Sequence, residues 1–112
     1  MGGGQSGPEI RGDANAPHYV LMEYCGGWGY YKYADAAASR MEAKYPGKFR
    51  FELKKDPGVS GRLEVTIFFN SKEAQDKVGV TVHSKSKGDG YCHQNWTAFE
   101  QRVDDALKTI QW

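Results

Sequence analysis

Tyr24-Cys25-Gly26-Gly27-Trp28-Gly29-Tyr30-Tyr31 is the stretch on which the reading of the fold turns. It follows His18 to Glu23, a short apolar run that predicts a strand. It precedes Ala34 to Tyr45, whose spacing predicts a helix. Cys25 is therefore expected in a glycine-rich turn between a strand end and a helix start. The first N–H groups of a helix lack partners within it, and its dipole is positive at that end. A thiolate placed there is stabilised, its pKa falls, and more of it is reactive at neutral pH. Gly26, Gly27 and Gly29 let the backbone turn sharply and are expected to leave the sulfur uncovered. The plain alternative is a small buried hydrophobe that happens to be cysteine. The three flanking glycines favour the reactive reading.

Outward from that turn, the first strand carries Val20, Met22 and Tyr24 on one face and Tyr19, Leu21 and Glu23 on the other. Apolar residues on both sides predict a central strand covered on each face. The helix carries Ala34, Ala37, Ala38, Met41 and Tyr45 on one stripe and stops at Pro46-Gly47. Phe49, Phe51 and Leu53 alternate with charged residues as a second strand, which completes a βαβ unit with parallel strands. Asp56 to Gly61 reads as loop. Leu63, Val65, Ile67 and Phe69 mark a third strand and Val78, Val80 and Val82 a fourth. These two are expected to pair as an antiparallel hairpin across the polar connection 70–77. Thr97-Ala98-Phe99-Glu100 reads as a capping box. It would open a last helix with Phe99, Val103, Ala106, Leu107 and Ile110 on its apolar face. The order β-α-β-β-β-α predicts an α+β fold: a mixed four-stranded sheet with two helices on one face, strands in the order second, first, third, fourth. Residues 1–17, rich in Gly, Pro and Asn, are predicted to be a flexible N-terminal arm, and 18–112 a single domain.

Composition bounds the function classes. The 112 residues suffice for one domain with one core. Fifteen basic and fourteen acidic side chains leave a net charge of +1, which gives no pull towards nucleic acid or an anionic membrane surface. A run of about 18 apolar residues, the length that spans a bilayer, is absent, so no transmembrane segment is expected. No apolar segment of signal-peptide type stands near the N-terminus, and the expected location is cytoplasmic, in a reducing compartment. Cys25 and Cys92 alone make no disulfide scaffold, and neither has partners at zinc-ligand spacing, so no metal site is expected. Met1-Gly2-Gly3-Gly4-Gln5-Ser6 fits the pattern for N-myristoylation at Gly2, a short pattern that also arises by chance.

Several separate motifs together resemble the selenoprotein W family. They are a strand ending in Tyr24-Cys25-Gly26-Gly27-Trp28-Gly29-Tyr30, a helix closing in Lys44-Tyr45-Pro46-Gly47, and Val82-His83-Ser84-Lys85 leading to Gly88-Asp89-Gly90-Tyr91. Gly61 to Val65 is similar to the family's Gly-x-Phe-Glu-Val, with Leu63 where an aromatic is usual. The likeness extends over about residues 18–110. It implies a thioredoxin-like fold and a Cys-x-x-selenocysteine or Cys-x-x-Cys redox pair at this turn. It also implies thiol-redox exchange with partner proteins and glutathione as co-substrate, with no permanently bound cofactor.

This chain departs from the family at the second redox position, which falls on Trp28. Tryptophan performs no thiol exchange. Either Trp28 stands for a native selenocysteine, whose UGA codon some genetic codes and misreading give as Trp, or it is genuine and the redox pair is lost. In the first case the selenolate attacks and Cys25 or glutathione resolves the product. In the second, Cys25 acts alone through a sulfenic acid or a glutathione adduct. A third reading is a non-catalytic structural or interaction subunit built on the same scaffold. Cys92 is expected at the same end of the sheet as Cys25 but two strands away, roughly 10 Å. A disulfide needs Cα atoms within about 7 Å, so no bond between them is expected. Tyr30, Tyr31 and Tyr33 are expected to pack or to rim the site. Tyr30, Tyr31, the 70–77 connection and the N-terminal arm are the candidate surfaces for a protein partner. His83 is expected on the strand face opposite the three valines, as a satisfied polar residue. Lys85 is a candidate contact for a glutathione carboxylate.

Overall fold

The computed structural model describes residues 9–27, 29–69 and 79–109. Its elements are β1 (Glu9–Gly12), β2 (His18–Tyr24), α1 (Tyr31–Lys44), β3 (Phe49–Lys55), β4 (Leu63–Phe68), β5 (Val80–Ser84) and α2 (Trp96–Lys108), with short 3-10 turns at Lys85–Lys87 and Cys92–Gln94. The sheet order is β1-β3-β2-β4-β5, with β2 parallel to β3 and the other pairs antiparallel. The α+β architecture and the order of the four expected strands are thus as the sequence predicts.

The core comes from one set of aligned rows. Phe51, Val20 and Ile67 lie side by side across β3, β2 and β4, as do Leu53, Met22 and Val65. All six are at most 1% exposed. Ala34, Ala37, Ala38 and Met41 of α1 and Phe99, Val103, Ala106 and Leu107 of α2 close over this face. Each large side chain buried here contributes about 1.5–3 kcal/mol. Both helices lie on the same side of the sheet, joined at their outer edges by Arg40 to Glu100 at 2.6 Å and Lys44 to Asp104 at 3.2 Å. The opposite face is different. There Arg50 lies over the Tyr19 ring at 5.7 Å, and the Tyr19 hydroxyl bonds Glu52. β2 is therefore central and both helices lie on one face of the sheet, as expected; on the other face Tyr19 is buried but Leu21 and Glu23 are only partly so, less covered than the strand's apolar pattern predicts.

Three further expectations need correction. The sheet has five strands, because residues 9–12, expected within a flexible arm, form β1 on the free edge of β3. Arg11 secures it, bonding Asp35 and, at 2.9 Å, Ser39 of α1. Gly12 is required: its φ is +84°, and a Cβ there would sit 2.5 Å from the Phe49 carbonyl oxygen. Second, the N-cap of α2 is Asn95, whose side chain accepts from the Ala98 N–H at 3.0 Å, in place of Thr97. Third, the β4–β5 register shifts between Val65 and Thr66, pairing Val65 with His83 and Thr66 with Thr81. Val82 is the extra residue of this bulge, which turns His83 to the helix face, where it is 1% exposed against Phe99. The 70–77 connection, Val78, Ile110, Trp112, Gly2 and residues 1–8 of the arm lie outside the described residues.

Candidate functional site

Cys25 follows the last residue of β2, and the loop between β3 and β4 wraps its turn. The Asp56 N–H donates to the Tyr24 carbonyl at 2.8 Å, the Cys25 N–H to the Arg62 carbonyl at 2.9 Å, and the Gly26 N–H to the Gly58 carbonyl at 2.9 Å. This contact requires glycine at position 26, where a Cβ would sit 2.3 Å from the Asp56 carbonyl oxygen. Gly29 has φ +69°, the left-handed conformation that favours glycine. Trp28 lies outside the described residues.

The sulfur is not bare. Cys25 is 1% exposed, contrary to the uncovered thiol expected from the glycines. Nor does the start of α1 hold it. The N–H groups of Lys32, Tyr33 and Ala34 donate to the carbonyls of Gly29 and Tyr30 at 3.0–3.3 Å. The sulfur instead accepts from the Gly27 N–H at 3.4 Å, and the backbone N–H groups of Gly61 and Ser60 and the Ser60 hydroxyl also favour its thiolate. Burial pushes the thiol pKa up, but these donors outweigh it and the net direction is down. The stabilisation expected from the helix end is thus supplied by two loops.

Cys92, equally closed at 1% exposed, behaves in the opposite way. Burial pushes its thiol up to about 12, and the neighbouring Arg102 offsets only part of that. Both cysteines are free.

An ionic cluster that the sequence reading passed over holds the loop in place. Arg62 grips Asp56 with two parallel bonds, Nε to Oδ2 at 2.9 Å and Nη2 to Oδ1 at 2.7 Å. Its Nη2 also lies 3.2 Å from Glu23. The Ser60 hydroxyl donates to Asp56 Oδ2 at 2.6 Å. The Arg62 bonds hold the Asp56 carboxyl below its ordinary range, and Asp56 in turn raises Arg62. The residue types were legible, but a pairing six positions apart inside a loop has no period to announce it.

The aromatic residues pack beside the turn. The hydroxyls of Tyr30 and Tyr91 lie 3.1 Å apart, Tyr33 stacks on His93 at 5.0 Å, and the Lys85 ammonium stands 5.2 Å from the Tyr91 ring centre. Tyr30 is 3% exposed and therefore belongs to the core, whereas Tyr31 is 42% exposed and bonds Glu9 at 2.7 Å. His83 is satisfied as expected: its Nε2–H donates to the Gly90 carbonyl at 2.7 Å and its Nδ1 accepts from Arg102 at 2.8 Å. Burial, with Arg102 close by, keeps its pKa low and the ring neutral. Among the described residues no group of three His, Cys, Asp or Glu could hold a metal ion, and no helix is long and apolar enough to cross a membrane.

No family model matches the chain. It is 33% identical over 72 residues to selenoprotein W of Mus musculus and of Rattus norvegicus, covering 64% of this chain and 70% of each relative. Against selenoprotein W of Sus scrofa it is 32% identical over 72 residues, 71% of that protein.

Proposed function

Since this chain belongs to the selenoprotein W family, we propose that it is a thiol redox protein that acts through Cys25, with glutathione as co-substrate. The contrast between its two cysteines carries this reading. Both are 1% exposed, yet only at Cys25 do the donors to the sulfur outweigh burial; at Cys92 burial prevails over Arg102 and a backbone N–H and pushes the pKa up to about 12. A thiolate is the nucleophile in disulfide exchange. Its sulfur attacks one sulfur of oxidised glutathione; the S–S bond breaks, a Cys25–glutathione mixed disulfide forms, and the second glutathione leaves as thiolate. Residue 28 decides how that adduct resolves. Selenocysteine there would displace glutathione and close a bond to Cys25, whereas Trp28 leaves resolution to a second thiol.

The 1% exposure of Cys25 favours a second reading, a structural or interaction subunit in which the thiol is packing. Intact-protein mass spectrometry after incubation of the folded protein with oxidised glutathione separates the two. One glutathione per chain, absent in Cys25→Ser and retained in Cys92→Ser, supports the redox reading. No adduct on the folded chain, with ready reaction once it is unfolded, supports the structural one. The same spectrum of the native protein identifies residue 28 by its mass and by the presence or absence of a selenium isotope pattern.

A further inference from the structure

We propose that Ser60, oriented by Asp56 and Arg62, is the positioning residue for the Cys25 thiolate. This rests on the reading of Cys25 as the reacting group. The Ser60 hydroxyl has one proton to donate and gives it to Asp56 Oδ2 at 2.6 Å; it belongs to the loop bonded across the Cys25 turn, from which it also favours the thiolate. While the thiol is protonated, its S–H can donate to Ser60 Oγ and the hydroxyl to Asp56. When the thiol loses its proton to water, the thiolate needs a donor, and the hydroxyl turns to it. That turn would strand the Asp56 carboxylate if Asp56 had no other partner. Arg62 Nε, 2.9 Å from the same Oδ2, keeps it satisfied. Asp56 therefore releases the hydroxyl at little cost, and Arg62 makes that exchange possible. Backbone bonds hold the partners in register, because the Arg62 carbonyl accepts the Cys25 N–H and the Gly58 carbonyl that of Gly26. The same pairing with Arg62 keeps Asp56 ionised, which makes it an orienting group and a poor proton acceptor.

The test is the pH profile of Cys25 alkylation by iodoacetamide in the folded protein, read at the Cys25 peptide by mass spectrometry. Groups able to carry charge around the turn are Asp56 and Arg62 in the loop, Glu23 of β2 paired with Arg62, and Tyr91 with Lys85 beside it; Ser60→Ala removes none of them. Loss of one donor to the thiolate is expected to move the midpoint to higher pH. Alkylation below the midpoint should be about three- to tenfold slower, with the high-pH plateau preserved, since a midpoint higher by about 1 in pH leaves about a tenth of the thiolate there. Ser60→Thr, which keeps the hydroxyl, should restore the wild-type midpoint. A Ser60→Ala midpoint at or below the wild-type value would overturn the assignment, as would a Ser60→Thr midpoint as displaced as that of alanine. Iodoacetamide needs neither glutathione nor a protein partner. A shifted Ser60→Ala profile without glutathione uptake would sink the redox reading and keep the assignment. An unshifted profile with normal uptake would do the reverse.

Discussion

The carbonyl of Arg62 accepts the Cys25 N–H at 2.9 Å, while its guanidinium grips Asp56 through two bonds and reaches Glu23 at 3.2 Å. One residue thus fixes the backbone of the thiol and the loop that covers it. The cover is a feature of the site as much as the sulfur is.

Arg62→Ala removes the forked partner of Asp56, which is only 8% exposed. A hydrogen bond lost from a charged group costs about 1.5–3 kcal/mol, and the 38% exposure of the Arg62 side chain screens part of it. A loss of about 1–2 kcal/mol in urea unfolding is therefore expected. The loop loosens with it, and the high-pH plateau of Cys25 alkylation should rise above wild type.

At Gly26 even one methyl group has no room. Gly26→Ala places carbon 2.3 Å from the Asp56 carbonyl oxygen and 2.8 Å from that of Gly58, both backbone atoms. The loop must lift away from the turn, and overpacking of this kind costs about 1–3 kcal/mol. Thermal unfolding should show a lowered midpoint, and the Cys25 sulfur should lose protection from alkylation.

The buried groups set a pH window for stability. His83 has its pKa lowered from 6.5 by burial, the Gly90 carbonyl opposing and the Arg102 charge reinforcing that direction. The folded state therefore resists a proton that the unfolded chain accepts. Its contribution is fully present above about 6.5 and is lost as pH falls through the interval below. Asp56, lowered from 3.8 chiefly by its bonds to Arg62, contributes above that value and loses its contribution as pH falls through the folded value. Urea midpoints should be level at neutral pH, fall below about 6.5, and fall again below about 4. Asp56→Asn should remove the second fall and leave the first. A second fall of unchanged size in Asp56→Asn would contradict the Asp56 assignment.

Much of this was legible in the chain, for reasons that also mark the boundary. The run 18–24 read correctly as a strand because its alternating core residues, Val20 and Met22, match Phe51 and Leu53 next door. The alanine stripe of α1 read correctly because small residues at helical spacing have one obvious use. β1 was hidden: Glu9–Gly12 holds a single large apolar residue, Ile10, and its ties to Asp35 and Ser39 are remote in sequence. Strict alternation puts His83 on the face away from the helices, and the bulge at Val82 breaks the two-residue period on which that placement depends. Cys25 was located correctly but expected bare. The glycines announce a turn, yet nothing local says that a loop more than thirty positions later folds across it.

The most direct test is peptide-resolved labelling of the folded, reduced protein with limiting iodoacetamide near pH 8. Donors at one sulfur and burial at the other call for Cys25 to be alkylated well ahead of Cys92, with Cys92 protected until the chain unfolds. Equal protection of both cysteines, or labelling of Cys92 first, would contradict the claim that Cys25 is the activated thiol.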